Sequence, residues 1–351
     1  VVWLLSAYRA DSHAYWADWL TTELDDYAWR CLELPGRHFS WRIRGNPLSW
    51  LDALDGAVPD LLVATSMVDL ATIRGLHPAL AGVPALYYFH ENQFAYPRSD
   101  RQVRSLEPQM VQLYGALAAD RCVFNSCYNR DTFLAGVDEL LALMPDHVPS
   151  AVSERIAERA AVLPVPVTEI KNSGQRHQRL ILWNHRWEYD KAPGLFCDAI
   201  IELAKSGTDF ELALLGPRPA ETPVALARLR ERFADRICHD GMADRDDYRS
   251  VVARAGIVVS TAIHEFQGIA VLEAVGAGAV PVVPDALCYR EQYSAEYRYP
   301  AGDAIALAGR LREWLRAGRR AGPDVSEWLP ASLKPRWQRM LAELAVWTRG
   351  L

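Results

Sequence analysis

The sequence predicts an α/β protein of two doubly wound, parallel-sheet domains, and two features of the chain predict it. Short apolar, β-branched runs recur along its length, and each gives way to a polar loop and then a helix-spaced apolar stripe, the order of successive βα units. A polar run from Lys171 to Arg179 interrupts the series near the middle and has the composition of an interdomain linker. With 351 residues, 50% of them hydrophobic, the chain can bury a separate core on each side of that run. The expected domains are residues 1–170 and 171–334, followed by a terminal helix, 335–351, that has no strand partner and returns toward the first domain.

Val1 to Ala7 opens the chain as a strand, and Tyr15-Trp16-Ala17-Asp18-Trp19-Leu20 gives the first helical stripe. Between them the loop Arg9-Ala10-Asp11-Ser12-His13 is placed to meet an acceptor or a phosphate; equally, Asp11 or Ser12 is a good helix N-cap. From Leu34 to Gly45 the apolar Phe39, Trp41 and Ile43 alternate with Ser40, Arg42 and Arg44. With Arg37, these arginines can grip phosphates beside aromatics that stack on bases or sugars; the competing reading is an edge strand with a solvated charged face. Asp60 to Ser66 and Val83 to Phe89 read as buried strands with a helical stretch, Asp69 to Leu80, between them. The second strand ends in His90-Glu91-Asn92-Gln93, and polar residues just past a strand's carboxyl end line the ligand crevice of such a sheet. These four are binding candidates, although a lone histidine there is often structural. Asp120 to Ser126 is a further strand, Asn129-Arg130-Asp131 opens a helix, and Ala161 to Val167 closes the first domain.

The second domain starts with Leu180-Ile181-Leu182-Trp183, and its first loop carries Arg186 and Lys191. The two make a reasonable clamp on a diphosphate, or Arg186 closes a solvated loop ion pair with Glu188. Phe210 to Leu215 is a strand that Gly216 ends, as a phosphate-side loop would, and an Asp240-Gly241 turn precedes a helix with Tyr248 and Val252. Next come a strand at Gly256 to Ser260, the stretch His264-Glu265-Phe266-Gln267-Gly268-Ile269, a helix with Glu273, and a strand at Val280 to Val283, together one βαβ unit. The loop and first helical turn of such a unit aim free N–H groups and partial positive charge at a ligand, and Gly268 permits close approach. Because a helix advances about 1.5 Å per residue, Glu273 lies roughly two turns beyond Glu265, so the two carboxylates can accept hydroxyls at opposite ends of one ligand. The plainer alternative is a dipole-favoured Glu followed by a surface Glu. The final helix is expected from Pro335 to Trp347.

Six cysteines, at 31, 122, 127, 197, 238 and 288, are scattered without a CxxC pair. They indicate a reducing compartment, expected to be the cytoplasm, and argue against structural zinc. No apolar run approaches the ~18 residues of a membrane span, and the apolar opening lacks a signal peptide's basic flank, so no membrane insertion is expected. Asp244-Arg245-Asp246 has the spelling of a metal site but precedes a helix away from the crevice; no metal is expected. The net charge of −6 argues against a nucleic-acid partner, yet residues 1–170 carry 13 basic and 21 acidic residues (−8) while 171–351 carry 25 and 23 (+2). In the acidic half, Arg37, Arg42, Arg44, Arg98, Arg101 and Arg104 can form a local basic stripe.

Ser260 to Val283 resembles the donor-site signature of retaining GT-B glycosyltransferases of the family 4 type, in which a Glu, seven residues and a second Glu precede Ala, a Gly and a Pro-Val-Val strand. Arg186, Lys191, Glu265, Gly268 and Glu273 are together similar to that family's nucleotide-sugar clamp. The N-terminal marks are narrower. Ser12-His13 and the runs LPGRHFSWRIRG, PDLLVATSMVDLATIRGL, FHENQFAYP and VFNSCYNRDTF resemble the tRNA-queuosine α-mannosyltransferases, as does HEFQGIAVLEA.

This resemblance implies a GT-B fold of two Rossmann-like domains facing across a cleft, with retaining, metal-independent transfer and no cofactor. It implies GDP-mannose as donor and, as acceptor, the cyclopentenediol of queuosine at the wobble position of tRNA(Asp). It places Glu265 and His90 on the sugar, Glu273 on the ribose, and Arg186 and Lys191 on the diphosphate. Gly216, Phe266, Gln267, Gly268 and Ile269 join the donor set; Ser12, His13, Arg37, Trp41, Arg42, Arg44, Glu91, Asn92 and Gln93 form the acceptor set. Ala10-Asp11 stands where that group usually has Gly-Gly, and Gln267 where it usually has an aromatic. Two other functions fit the same pattern: a glycosyltransferase of this architecture with another donor and a small-molecule or lipid-linked acceptor, and a non-catalytic module that binds RNA or a nucleotide sugar. The sequence leaves the oligomeric state open.

Overall fold

Parallel strands need crossovers that return over a face of the sheet, and the alternation of apolar runs with amphipathic stretches produces that arrangement twice. A computed structural model describes residues 1–96, 105–171, 176–218, 221–318 and 322–347. Two compact units form: Val1–Pro166 with Ala331–Leu351, and Val167–Pro330.

In the first unit the order is β1 (Val2–Arg9), α1 (Asp11–Glu23), β2 (Trp29–Pro35), α2 (Phe39–Ser49), β3 (Leu61–Thr65), α3 (Leu70–Leu76), β4 (Ala85–Phe89), α4 (Glu107–Ala118), β5 (Arg121–Phe124), α5 (Cys127–Ala142), α6 (Val152–Ala157) and β6 (Ala160–Val162). Its six strands are parallel in the order β2-β1-β3-β4-β5-β6. Every residue of β3 and β4 is buried, which is why these strands read as unbroken apolar runs rather than alternating ones.

The second unit contains β7 (His177–Asn184), α7 (Pro193–Lys205), β8 (Glu211–Leu215), α8 (Val224–Phe233), β9 (Ile237–Gly241), α9 (Arg245–Arg254), β10 (Ala255–Val259), α10 (Ile269–Gly276), β11 (Val280–Pro284), α11 (Tyr289–Gln292), β12 (Arg298–Tyr299) and α12 (Ala304–Ala317). Its sheet is again parallel, in the order β12-β11-β10-β7-β8-β9. The last helix, α13 (Pro330–Trp347), packs on the first unit. There the fully buried Trp337 meets Trp16 and Tyr88 at ring distances of 5.7 and 5.3 Å, and Lys334 reaches Glu23 at 3.2 Å.

Several local expectations are corrected. Residues 39–49 form α2, not an edge strand: Phe39, Ile43, Asn46 and Pro47 make an inward stripe at helical spacing, which three alternating apolar residues could not exclude. The half-buried β2 at the sheet edge has no counterpart in the sequence reading. Asp240 and Gly241 end strand β9 instead of making a turn. Helix α1 starts one residue earlier than a cap at Asp11 or Ser12 requires: Ala10 is at the N-cap position and both residues fall within the helix. Strand β7 begins at His177, inside the polar run, and α13 begins five residues before Pro335.

Replacing Trp337 with Ala is expected to cost about 3–5 kcal/mol, since it removes a buried indole from between two aromatic rings. Lys334→Ala, which loses only a half-exposed ion pair, should cost no more than about 1 kcal/mol. Denaturant midpoints of the two variants check this difference.

Candidate active site

A doubly wound sheet binds ligands where its strand order reverses, and in the second unit that point lies between β7 and β10. The loop leaving β7 carries His185, Arg186, Asp190 and Lys191, and the loop leaving β10 carries Thr261, His264 and Glu265. Two hydrogen bonds knit them together. The Ile263 N–H donates to the Asp190 carbonyl at 2.9 Å, and the Thr261 hydroxyl to the Lys191 carbonyl at 2.7 Å.

Held this way, Lys191 is only 8% exposed. Its Nζ donates to Glu265 Oε2 at 3.1 Å and to the His264 carbonyl at 2.9 Å, and lies 3.2 Å from Asp190 Oδ2. Burial by itself drives the Glu265 carboxyl pKa up, but the Lys191 charge and the hydrogen bonds from Lys191 and the Gly268 N–H prevail and bring it down to about 2. Burial likewise pulls the Lys191 ammonium down, and Glu265 and Asp190 together lift it above its ordinary value. Both groups are therefore ionised at neutral pH. Burial, reinforced by the Lys191 charge, lowers His185 and His264 to about 4, so those imidazoles are neutral.

Arg186 reaches Glu188 at 3.2 Å and Asp190 at 3.8 Å, which is the loop ion pair that the sequence left as an alternative, while its side chain stays half-exposed beside the Lys191 cluster. Gly268 precedes α10 with φ 67°, and a Cβ there would lie 2.9 Å from the Tyr289 ring, so both conformation and space call for glycine. No side chain caps α10, so the positive end of its dipole is left at the same loop. Phe266 and Gln267 are buried; they shape the turn, with the Gln267 carbonyl accepting from Gln292 at 2.7 Å. Ile269 is half-buried at the start of α10, and Gly216 ends β8 against the His185 carbonyl.

About one turn into α10, Glu273 accepts from the Tyr248 hydroxyl at 2.6 Å and is also bonded by Thr168. Burial raises its pKa against those bonds. Asn184, the last residue of β7, donates to the Ala270 carbonyl at 2.9 Å and approaches Tyr248 at 3.4 Å. Asp244 accepts from the N–H groups of Asp246 and Asp247, so the Asp-x-Asp spelling is a helix cap.

In the first unit, His90 and His13 come together with ring centroids 4.1 Å apart, and His90 also packs on Trp16 and Tyr88. Burial, then the neighbouring His13, holds His90 well below its ordinary range. His13 Nδ1 lies 2.6 Å from the Tyr8 carbonyl, and Ser12 is exposed beside it. Asn92 is fully buried: it donates to Asn129 and Thr132 and accepts from the N–H groups of Phe94 and Ala95, locking the loop after β4. Glu91 and Gln93 are half-buried in that loop, which the Ser66 hydroxyl and the Gln112 side chain also hold. Arg44 is tied to Asp69 at 2.6 Å and Glu107 at 2.9 Å. Arg37 and Trp41 are exposed and Arg42 is partly so. Arg98, Arg101 and Arg104 lie outside the described residues.

Comparison with known proteins assigns both units. Residues 1–167 match the family model of the tRNA-queuosine alpha-mannosyltransferase N-terminal domain, and residues 178–317 match that of glycosyl transferases group 1. The chain is 32% identical over 287 residues to the tRNA-queuosine alpha-mannosyltransferase of Drosophila melanogaster, covering 78% of this chain and 76% of that one. The chain belongs to the tRNA-queuosine α-mannosyltransferase family. It is a glycosyltransferase, and its fold is that of the GT-B enzymes. The lipopolysaccharide outer core galactosyltransferase WaaB superposes with a TM-score of 0.67 at 11% identity, covering 97% of this chain and 99% of that one. Sucrose-phosphate synthase from Thermosynechococcus elongatus gives 0.67 at 12% identity, with 98% of each chain covered. Among the described residues of this family member, no helix is long and apolar enough to cross a membrane, and no three His, Cys, Asp or Glu side chains cluster as metal ligands would.

Asp190, Tyr248 and Thr261 are structurally central to the site and were not singled out from sequence. Asp190 adjoins Lys191, and that position is its signal in the sequence. Tyr248 and Thr261 act through the fold, and nothing local marks them.

Acid should destabilise this family member in a defined order. His185 and His264 titrate near 4 when folded and near 6.5 when unfolded, so the unfolded chain binds more protons between those values and stability falls as pH drops below about 6.5. The Glu265 contribution is fully present above its unfolded value of 4.5 and is lost as pH falls toward about 2. A melting-temperature profile should be level from pH 8 to 7 and decline below 6.5, with a shallower decline in His264→Asn.

Proposed function

We propose that the chain transfers mannose from GDP-mannose to the cyclopentenediol of queuosine in tRNA(Asp), with retention of anomeric configuration, no cofactor and no required metal. The observation that carries this reading is the ionised, buried Lys191–Glu265 pair at the strand-order reversal of the second unit, in a chain of this family. The Drosophila melanogaster relative's action on tRNA queuosine supports the acceptor. An acceptor of that kind makes the cytoplasm the expected compartment.

As the bond from the sugar's anomeric carbon to phosphate breaks, negative charge builds on the leaving diphosphate. Arg186, Lys191 and the positive N-terminal end of α10 stabilise it through preorganised electrostatics. All three Lys191 donors are engaged, so a phosphate oxygen would displace its longest contact, Asp190 at 3.2 Å. Glu265, with a pKa of about 2, is no proton donor at neutral pH; it accepts hydroxyls of the sugar. Its charge is already compensated by Lys191, which makes it a poor nucleophile. That favours attack by the acceptor hydroxyl on the face the diphosphate leaves, with a donor phosphate oxygen taking its proton. Glu273, held by Tyr248 and Thr168, is rigidly placed for ribose hydroxyls. The first unit presents the acceptor, with Ser12 and His13 just past the end of β1.

The test incubates the protein with GDP-mannose or other nucleotide sugars and queuosine-containing tRNA, then measures the digested nucleosides by mass spectrometry. A hexose on queuosine from GDP-mannose is the expected product. Glu265→Ala, and Arg186→Ala with Lys191→Ala, should lower transfer by at least about 10²-fold while circular dichroism shows a folded chain. Glu265→Gln keeps the shape and should lose activity as well. Wild-type rates in these variants would remove the assigned roles.

A further inference from the structure

Helix α2 presents an indole whose setting no packing requirement of the unit explains. A Cβ added at Gly45 would lie 2.4 Å from Cε2 and 2.7 Å from both Cδ2 and Cζ2 of Trp41. The first two atoms form the bond shared by the two indole rings, which nothing can approach so closely in the ring plane, so the indole lies flat over the glycine one turn further on. One face is thereby fixed against the helix. The residue nevertheless remains 53% exposed.

The charge around this ring is unusual for its surroundings. Residues 1–170 carry 13 basic and 21 acidic side chains, yet Leu34 to Leu51 contains no Asp or Glu at all. Arg44 is neutralised by Asp69 and Glu107 and anchors the helix. Among the described residues neither Arg37 nor Arg42 forms an ion pair, and Arg42 Nε is buried without a hydrogen-bond partner. The first turn of α2 adds uncapped N–H groups, since its N-cap His38 supplies no side-chain bond and no acid follows. The position is also informative: the Tyr8 carbonyl takes His13, and the Tyr8 ring meets Phe39 at 6.1 Å, which brings the start of α2 to the strand ends where His13 and His90 lie.

We propose that Trp41 is a stacking platform for one unpaired base of the RNA acceptor, with Arg37, Arg42 and the first turn of α2 on its flanking phosphates. The inference rests on the RNA acceptor proposed above and specifies how the first unit grips it. Single-stranded RNA is gripped by stacking its unpaired bases on aromatic rings and pairing its phosphates with cations, and a flat, exposed indole beside arginines offers both.

The experiment measures equilibrium binding of queuosine-containing tRNA to the full chain at several salt concentrations, alongside binding of GDP-mannose and transfer by the wild type. Trp41→Ala should weaken tRNA binding roughly 5- to 150-fold and leave GDP-mannose binding unchanged, and Trp41→Phe should recover part of the loss. Gly45→Ala keeps the indole and every charge and favours the helix, yet its methyl group pushes the ring off its bed; tRNA affinity should fall while the melting temperature holds or rises. Arg37→Ala should reduce the salt slope by about one. Unchanged tRNA affinity in both Trp41→Ala and Gly45→Ala, in a protein whose wild type transfers to that tRNA, overturns the platform. A wild type that binds tRNA through Trp41 but adds no sugar upholds the platform and refutes the proposed acceptor; one that binds no RNA refutes both.

Discussion

Burying the Lys191 ammonium beside the Glu265 carboxylate is the constraint on which the second unit's ligand loops depend. Removing each ion from water costs several kcal/mol, and attraction between the two offsets that only if their remaining valences are filled. They are filled by neighbours from both loops: the His264 carbonyl and Asp190 for the lysine, and the Phe266 and Gly268 N–H groups for the glutamate. Such a cluster is weak as a device for stability. Its effect is to hold a carboxylate ionised and a cation in place before any donor arrives, which is the preorganisation that transfer from a diphosphate needs.

The first unit solves a different problem with aromatic surface. Trp16 stacks on Tyr88 at 4.4 Å, Trp337 of α13 closes over both, and His90 packs edge-on against the same pair. The ring at the end of β4 is thus oriented by core packing, and α13 is part of that packing although it is the last helix of the described chain. Burial keeps His90 neutral, so its contribution is a hydrogen-bonding group of fixed orientation, not a charge.

What the sequence made legible follows from how local each signal is. Strands such as β3, β4 and β10 are buried on both faces and appear as unbroken apolar runs, and the stretch from Glu265 to Glu273 lies within a single loop and helix, so both could be read directly. Residues 39–43 could not be read so, because an alternation of three apolar residues satisfies both a strand and the beginning of a helical stripe that only Asn46 and Pro47 complete. Asn92 had the address of a ligand group but is consumed by Asn129, Thr132 and its own loop, a network that exists only once α5 is in place. Tyr248 reaches Glu273 from a helix 25 residues away in sequence, and no spacing rule announces that contact.

A double-mutant cycle on the unfolding free energy tests the central ion pair most directly. Lys191→Met should destabilise the protein by about 3–5 kcal/mol, because it strands the buried Glu265 and Asp190 carboxylates; Glu265→Gln should cost less, because Lys191 keeps Asp190, and the double variant should lose clearly less than the sum of the two. Losses that simply add would mean that the two side chains do not depend on each other, and would contradict the account.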